Sequence, residues 1–112
     1  MKIEGIGKLL RIFIGESDRL DGKLLYEAII RKAHEMNMAG ATVLRGIEGF
    51  GAASRIHKAH ILRLSEDLPV VIEIADTEER IRKAIDAFEA MIGESGAGVL
   101  MTLEQVEIIR YR

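Results

Sequence analysis

The chain has 112 residues, a formal net charge of −2 and 30% charged residues. This is enough for one domain (residues 1–112) with its own core, and it lacks the basic excess of a general nucleic-acid binder. Cysteine is absent, which excludes a disulfide framework, a thiolate metal site and a cysteine nucleophile. Met1, Lys2, Ile3, Glu4 and Gly5 begin no signal-peptide pattern and no apolar run approaches a membrane span, so the expected location is the cytoplasm, without membrane insertion.

Residues 8–15 alternate, with Leu10, Ile12 and Ile14 on one face and Leu9, Arg11 and Phe13 on the other, which predicts a strand. Asp21 is placed as the N-cap of a helix whose apolar stripe is Leu24, Leu25, Ala28, Ile29, Ala33 and Met36, with Gly40 as its closing residue. A second strand is predicted over 41–47, then a loop over 48–60, a short strand at 61–64 and a turn over 65–69. Val70, Val71, Ile72 and Ile74 belong to a strand rich in β-branched residues. A second helix follows, with a capping box from Asp76 to Glu79 and Ile81, Ala84, Ile85, Phe88, Met91 and Ile92 sharing a face. Residues 99–109 close the chain as a strand whose apolar alternation changes phase between Leu103 and Val106, which suggests a bulge at Glu104 and Gln105.

The order βα, β-loop-β, αβ predicts an α+β, ferredoxin-like βαββαβ sandwich: a four-stranded antiparallel sheet with two helices on one face. Two helices cover only one face, while Leu9, Phe13, Leu44, Val71 and Leu100 give the other apolar area. A second copy of the chain, in a closed ring or a dimer, is the economical cover.

The candidate chemistry is concentrated in two places. Gly93, Glu94, Ser95, Gly96, Ala97 and Gly98 sit where a helix pattern ends and a strand pattern begins. Glycine there permits backbone amides to approach an anion, although a helix C-terminus selects glycine for conformational reasons as well. One strand later come Arg110 and Arg112, whose planar, permanently charged forks suit phosphate oxygens. The central loop adds Arg55, His57, Lys58 and His60 with no acidic residue from 49 to 65, a local positive patch fit for an anion or an acidic partner. His57 and His60 lack a third ligand, so no metal is assigned. Ser17, Ser54, Ser65 and Ser95 lie in no nucleophile elbow, so no catalytic residue is assigned either.

In the order of its elements the chain resembles the PII signal-transduction proteins. The resemblance is carried by Gly49-Phe50-Gly51, by Leu68-Pro69 before Val71-Ile72-Glu73-Ile74, by glycines 93, 96 and 98 in a G-x-x-G-x-G pattern, and by Arg110-Tyr111-Arg112. It is closer still to a family of short PII-like proteins catalogued as a domain of unknown function, whose members share residues 45–51 and 65–70. The resemblance implies a homotrimeric regulator holding an adenine nucleotide (ATP, ADP or AMP) in clefts between subunits. Gly49, Phe50, Gly51 and residues 93–98 would lie at the nucleotide, and the terminal arginines would reach its phosphates from the neighbouring chain. The central loop, about 49–60, would carry the signal to a target protein. Relatives of the short family are often encoded beside fluoride-export channels, which makes a membrane transporter a candidate target. Departures from the PII pattern bear on the ligand. Ala97 and Val99 stand where PII proteins commonly have an acidic residue and a lysine, which removes a phosphate contact. Ala53 stands where PII proteins have a glutamine for magnesium and 2-oxoglutarate, so a magnesium requirement stays open. The alternatives are a small enzyme acting on an anionic or phosphorylated metabolite at a subunit cleft, and a ligand-free structural interaction module.

Overall fold

The computed structural model describes residues 1–51 and 67–112. Its elements are β1 (Gly5–Gly15), β2 (Arg19–Leu20), β3 (Lys23–Leu24), α1 (Leu25–Glu35), β4 (Thr42–Arg45), β5 (Pro69–Asp76), α2 (Glu78–Ser95) and β6 (Leu100–Ile108). The four long strands form one sheet in the order β4-β5-β1-β6, every neighbouring pair antiparallel. With α1 and α2 between the strands they connect, this is the predicted ferredoxin-like sandwich. The expected strand at 61–64 and the basic residues Arg55, His57, Lys58 and His60 fall outside the described residues.

Alternation along β1 decides where the core lies. Leu10, Ile12 and Ile14 are buried, as are Val70, Ile72 and Ile74, which the register places beside them on the same face. Leu25, Ile29 and Ala33 of α1 and Ile81, Ala84, Phe88 and Ile92 of α2 complete this layer. Burying each large aliphatic or aromatic side chain stabilises the fold by about 1.5–3 kcal/mol.

Four local expectations are corrected. Asp21 does not cap α1: it and Gly22, at φ 52° and 79°, form the two-residue turn of the β2–β3 hairpin, the type I′ chemistry that Asp-Gly favours. Helix α1 starts from Leu24 without a side-chain cap. It is followed by Asn37 at φ 57°, a residue type that tolerates the left-handed region, and not by Gly40. The cap of α2 is Thr77, whose hydroxyl accepts from the amide of Arg80 at 3.3 Å; Asp76 lies one residue earlier with a different role. Finally, β6 has no bulge, because its register with β1 runs unbroken from Phe13 opposite Leu100 to Gly5 opposite Ile108. The phase change is a change of face: Met101 and Leu103 lie on the helix side, Val106 and Ile108 on the other. There Ile108 fills the space that a side chain at Gly7 would need, its Cδ1 lying 2.6 Å from an ideal Cβ position.

Candidate ligand-binding site

The sheet register sorts the described site residues onto two ends of the molecule. At one end, β4 stops at Arg45 opposite Val70, and β6 begins at Leu100 opposite Phe13. Residues 46–51 and 96–99 therefore emerge at the same end, from opposite edges of the sheet, three strand spacings or roughly 14 Å apart. The stems of the central loop are tied to the turn after β1. Arg45 pairs with Glu16, the Ser17 hydroxyl donates to Asp67 at 2.8 Å, and the Glu16 amide donates to the Leu68 carbonyl at 2.7 Å. Burial holds the carboxyl of Asp18 above its ordinary value, against a lowering contribution from the Gly15 amide that it accepts. Ile47 and Phe50 are 95% and 84% exposed, so the described part of the loop presents apolar side chains to its surroundings.

The glycine-rich segment is only partly a loop. Gly93, Glu94 and Ser95 form the last turn of α2, and Gly96, at φ 74°, closes it. The Gly96 amide donates to the carbonyls of Ile92 and Gly93 at 3.2 and 3.3 Å, and the Ala97 amide donates to the Ser95 hydroxyl at 3.0 Å. Gly98 and Val99 complete the turn into β6. This end of α2 carries the negative pole of the helix, and Glu94 is exposed on it. An anion here needs positive charge from elsewhere.

That charge lies at the other end of the sheet. Strand β6 spans nine residues, or roughly 26 Å, between the glycine turn and the C-terminal segment. Arg110 and Arg112 are exposed and have no ion-pair partner among the described residues. Tyr111 between them is half-buried. It lines a shallow cavity of about 300 Å³ with Leu9, Ala39, Gly40, Ala41, Thr42, Glu73 and Ala75. The C-terminal segment thus crosses from the β6 edge toward β4, over the face that the helices leave open. The walls of this cavity are held from below by Asp76, which is fully buried. Its carboxylate accepts from the amides of Thr77 at 2.7 Å and Ala39 at 2.9 Å, and from Arg80 Nε at 3.0 Å. The same guanidinium donates to the carbonyl of Asn37.

On the open face, β-pairing builds two rows. Leu44, Val71, Phe13 and Leu100 are aligned across the four strands, beside a second row of Thr42, Glu73, Arg11 and Thr102. Arg11 donates to Glu73 at 2.9 Å and also pairs with Glu104; the two carboxylates hold its guanidinium above its ordinary value. Leu44 and Leu100 remain 50% and 56% exposed in the single chain. A separate groove of about 820 Å³ lies between the β2–β3 hairpin and the two helices and includes none of the predicted site residues.

Sequence reasoning named the glycine turn and the arginines but missed the cavity at Tyr111 and the role of Asp76. The run of small residues 39–41 before a strand was a signal for the first. The second depends on a contact 37 residues apart in the chain.

A βαββαβ sandwich with the stems of its β4–β5 connection and its glycine turn at one end, and its arginine-flanked tail at the other, is the PII-like fold. The fold is similar to that of a PII-like signalling protein from Thermus thermophilus, with a TM-score of 0.64 at 14% identity over 94% of this chain and 91% of that one. It is also similar to CPII from Thiomonas intermedia K12, in a structure with ADP, AMP and acetate, with a TM-score of 0.67 at 13% identity over 95% and 91% of the two chains. Within this class the chain belongs to the DUF190 family, described as "Uncharacterized ACR", whose model matches residues 7–108. A UPF0166 protein of Aquifex aeolicus is 40% identical over 102 residues, which is 91% of this chain and 92% of the relative. Another, from Methanocaldococcus jannaschii, is 36% identical over 89 residues, 80% of this chain and 82% of the relative.

Proposed function

We propose that this chain is a homo-oligomeric regulator that binds an adenine nucleotide in clefts between copies and signals through its central loop to a target protein. The observation that carries the reading is the separation of the two charge-bearing halves. The glycine turn sits at a negative helix pole, and Arg110 and Arg112, without an ion-pair partner among the described residues, lie a full strand length away. Within one chain they cannot meet; between two chains packed through the open sheet face they can. The apolar row Leu44, Val71, Phe13 and Leu100 supplies a surface for that packing, and three copies closing a ring would use each surface once.

In this arrangement the phosphates lie between the backbone of residues 96–99 of one copy and Arg110 and Arg112 of the next. The base and ribose take the cavity at Tyr111 and residues 39–42. That the fold relative CPII is found with ADP and AMP supports an adenine nucleotide. Ala97 and Val99 bring no charge to the phosphates, which favours ADP or AMP over ATP. Strand β4 runs from the cavity to the stem of the central loop, so occupancy at one end has a direct mechanical route to the other. Regulation requires that the nucleotide bind one loop state better than another, because a ligand with equal affinity for both shifts nothing.

The test is calorimetric titration with ATP, ADP and AMP, with and without magnesium. The expected result is saturation near one site per chain, lost in Arg110→Ala. Absence of binding to all three would overturn the reading; turnover of the bound nucleotide would replace a regulator with an enzyme.

A further inference from the structure

Among the described residues, one charged side chain is fully buried, and its hydrogen bonds do not end where a helix start requires. Thr77 already caps α2. Asp76, at 0% exposure, spends one oxygen on the neighbouring Thr77 amide and on Arg80. Its other oxygen goes to the amide of Ala39, on the connection between α1 and β4. Arg80 continues the chain of bonds to the carbonyl of Asn37 in the same connection. A buried carboxylate is costly, and an apolar residue of similar volume would often stabilise a core equally well. What an apolar residue could not do is grip the backbone of 37–39.

That grip bears directly on the cavity at Tyr111. Ala39, Gly40 and Ala41 line it, and side chains this small give the segment little packing to hold it. We propose that Asp76 and Arg80 are positioning residues for the ligand: they set the shape of the 39–42 wall from beneath without touching what binds there. This rests on the nucleotide reading and deepens it. A wall held in its bound shape before the ligand arrives avoids the ordering cost of binding, which loosening of the latch restores.

The latch is tested in the full chain with ADP as probe. The background is Tyr26→Phe; the chain has no tryptophan and two tyrosines, so Tyr111 then becomes its one fluorophore. Arg80→Met should weaken ADP binding about tenfold and should change Tyr111 emission before any ligand is added. Arg80→Lys, able to reach one of the two acceptors, should recover part of both. Ile81→Val removes a buried methyl from the next residue of α2 without touching the connection; it should lower Tm and leave affinity and emission unchanged. ADP binding by Arg80→Met as tight as by the parent, or equal weakening by Ile81→Val, overturns the latch. If the parent binds ADP and Arg110→Ala abolishes it while Arg80→Met does not, the latch alone falls. If the parent binds no ADP, the nucleotide reading and the latch fall together.

Discussion

The two faces of the sheet are built by the same strands with the same alternation, yet they reach different ends. On the helix side, Leu10, Ile12, Ile14, Val70, Ile72 and Ile74 meet α1 and α2 and disappear from solvent. On the open side, the apolar row of Leu44, Val71, Phe13 and Leu100 is left partly exposed, most at its two edge leucines, beside the charged row containing Glu73 and Arg11. The closed face is interchangeable aliphatic packing, where volume and shape decide stability. The open face mixes apolar contact with a fixed pattern of charge, which sets register and partner more than stability. A surface of that kind is suited to meeting a copy of itself.

The largest expected effect lies on the closed face. Phe88 is fully buried between the helices and the sheet, so Phe88→Ala should cost about 3–5 kcal/mol, read as a loss of denaturation midpoint in urea. Phe13→Asp puts a charge into the apolar row of the open face and should leave the monomer folded by circular dichroism. It should weaken self-association in sedimentation about thirtyfold or more, the cost typical of losing an interface anchor. If Phe13→Asp unfolds the chain instead, the contrast between the faces collapses.

Smaller effects sharpen the comparison at the turns. Gly96→Ala forces a Cβ into the left-handed region at φ 74° and should cost about 1 kcal/mol by thermal unfolding. No atom lies close enough to a Cβ there to add a clash. Asp18→Asn should give the smallest change, with a sign that comes from linkage. Burial raises the Asp18 carboxyl above 3.8, so its contribution to stability is fully present below the unfolded value and is lost as pH rises through the folded one. The variant should therefore have the higher Tm at neutral pH, and the gap should close below about pH 4.

The fold was legible because it rests on periodicity. Leu10, Ile12 and Ile14 at period two, and Ile81, Ala84, Phe88 and Ile92 at helical spacing, name their partners without any knowledge of register. The details that failed share a different cause. Asp21 and Asp76 each fit two local roles, helix cap or something else, and short-range chemistry does not choose between them. The hairpin took Asp21 because Asp-Gly satisfies a turn with two positive φ angles. The connection before β4 took Asp76 because an amide 37 residues away needed an acceptor. The phase change at Glu104 and Gln105 looked like a bulge because alternation alone cannot tell a slipped register from a switch of face.

By itself, then, the sequence determined the layers, the strand order implied by βαββαβ, the apolar content of both sheet faces and the presence of a glycine turn and a terminal arginine pair. Only the tertiary structure decided that residues 46–51 and the glycine turn emerge at the same end of the sheet, that Tyr111 folds back over residues 39–42, and that a buried carboxylate braces them. The physical reason is that periodic burial is a property of neighbours along the chain. The meeting of Tyr111 with Gly40, or of Asp76 with Ala39, depends on strand pairing and on where each strand ends, which no local pattern encodes.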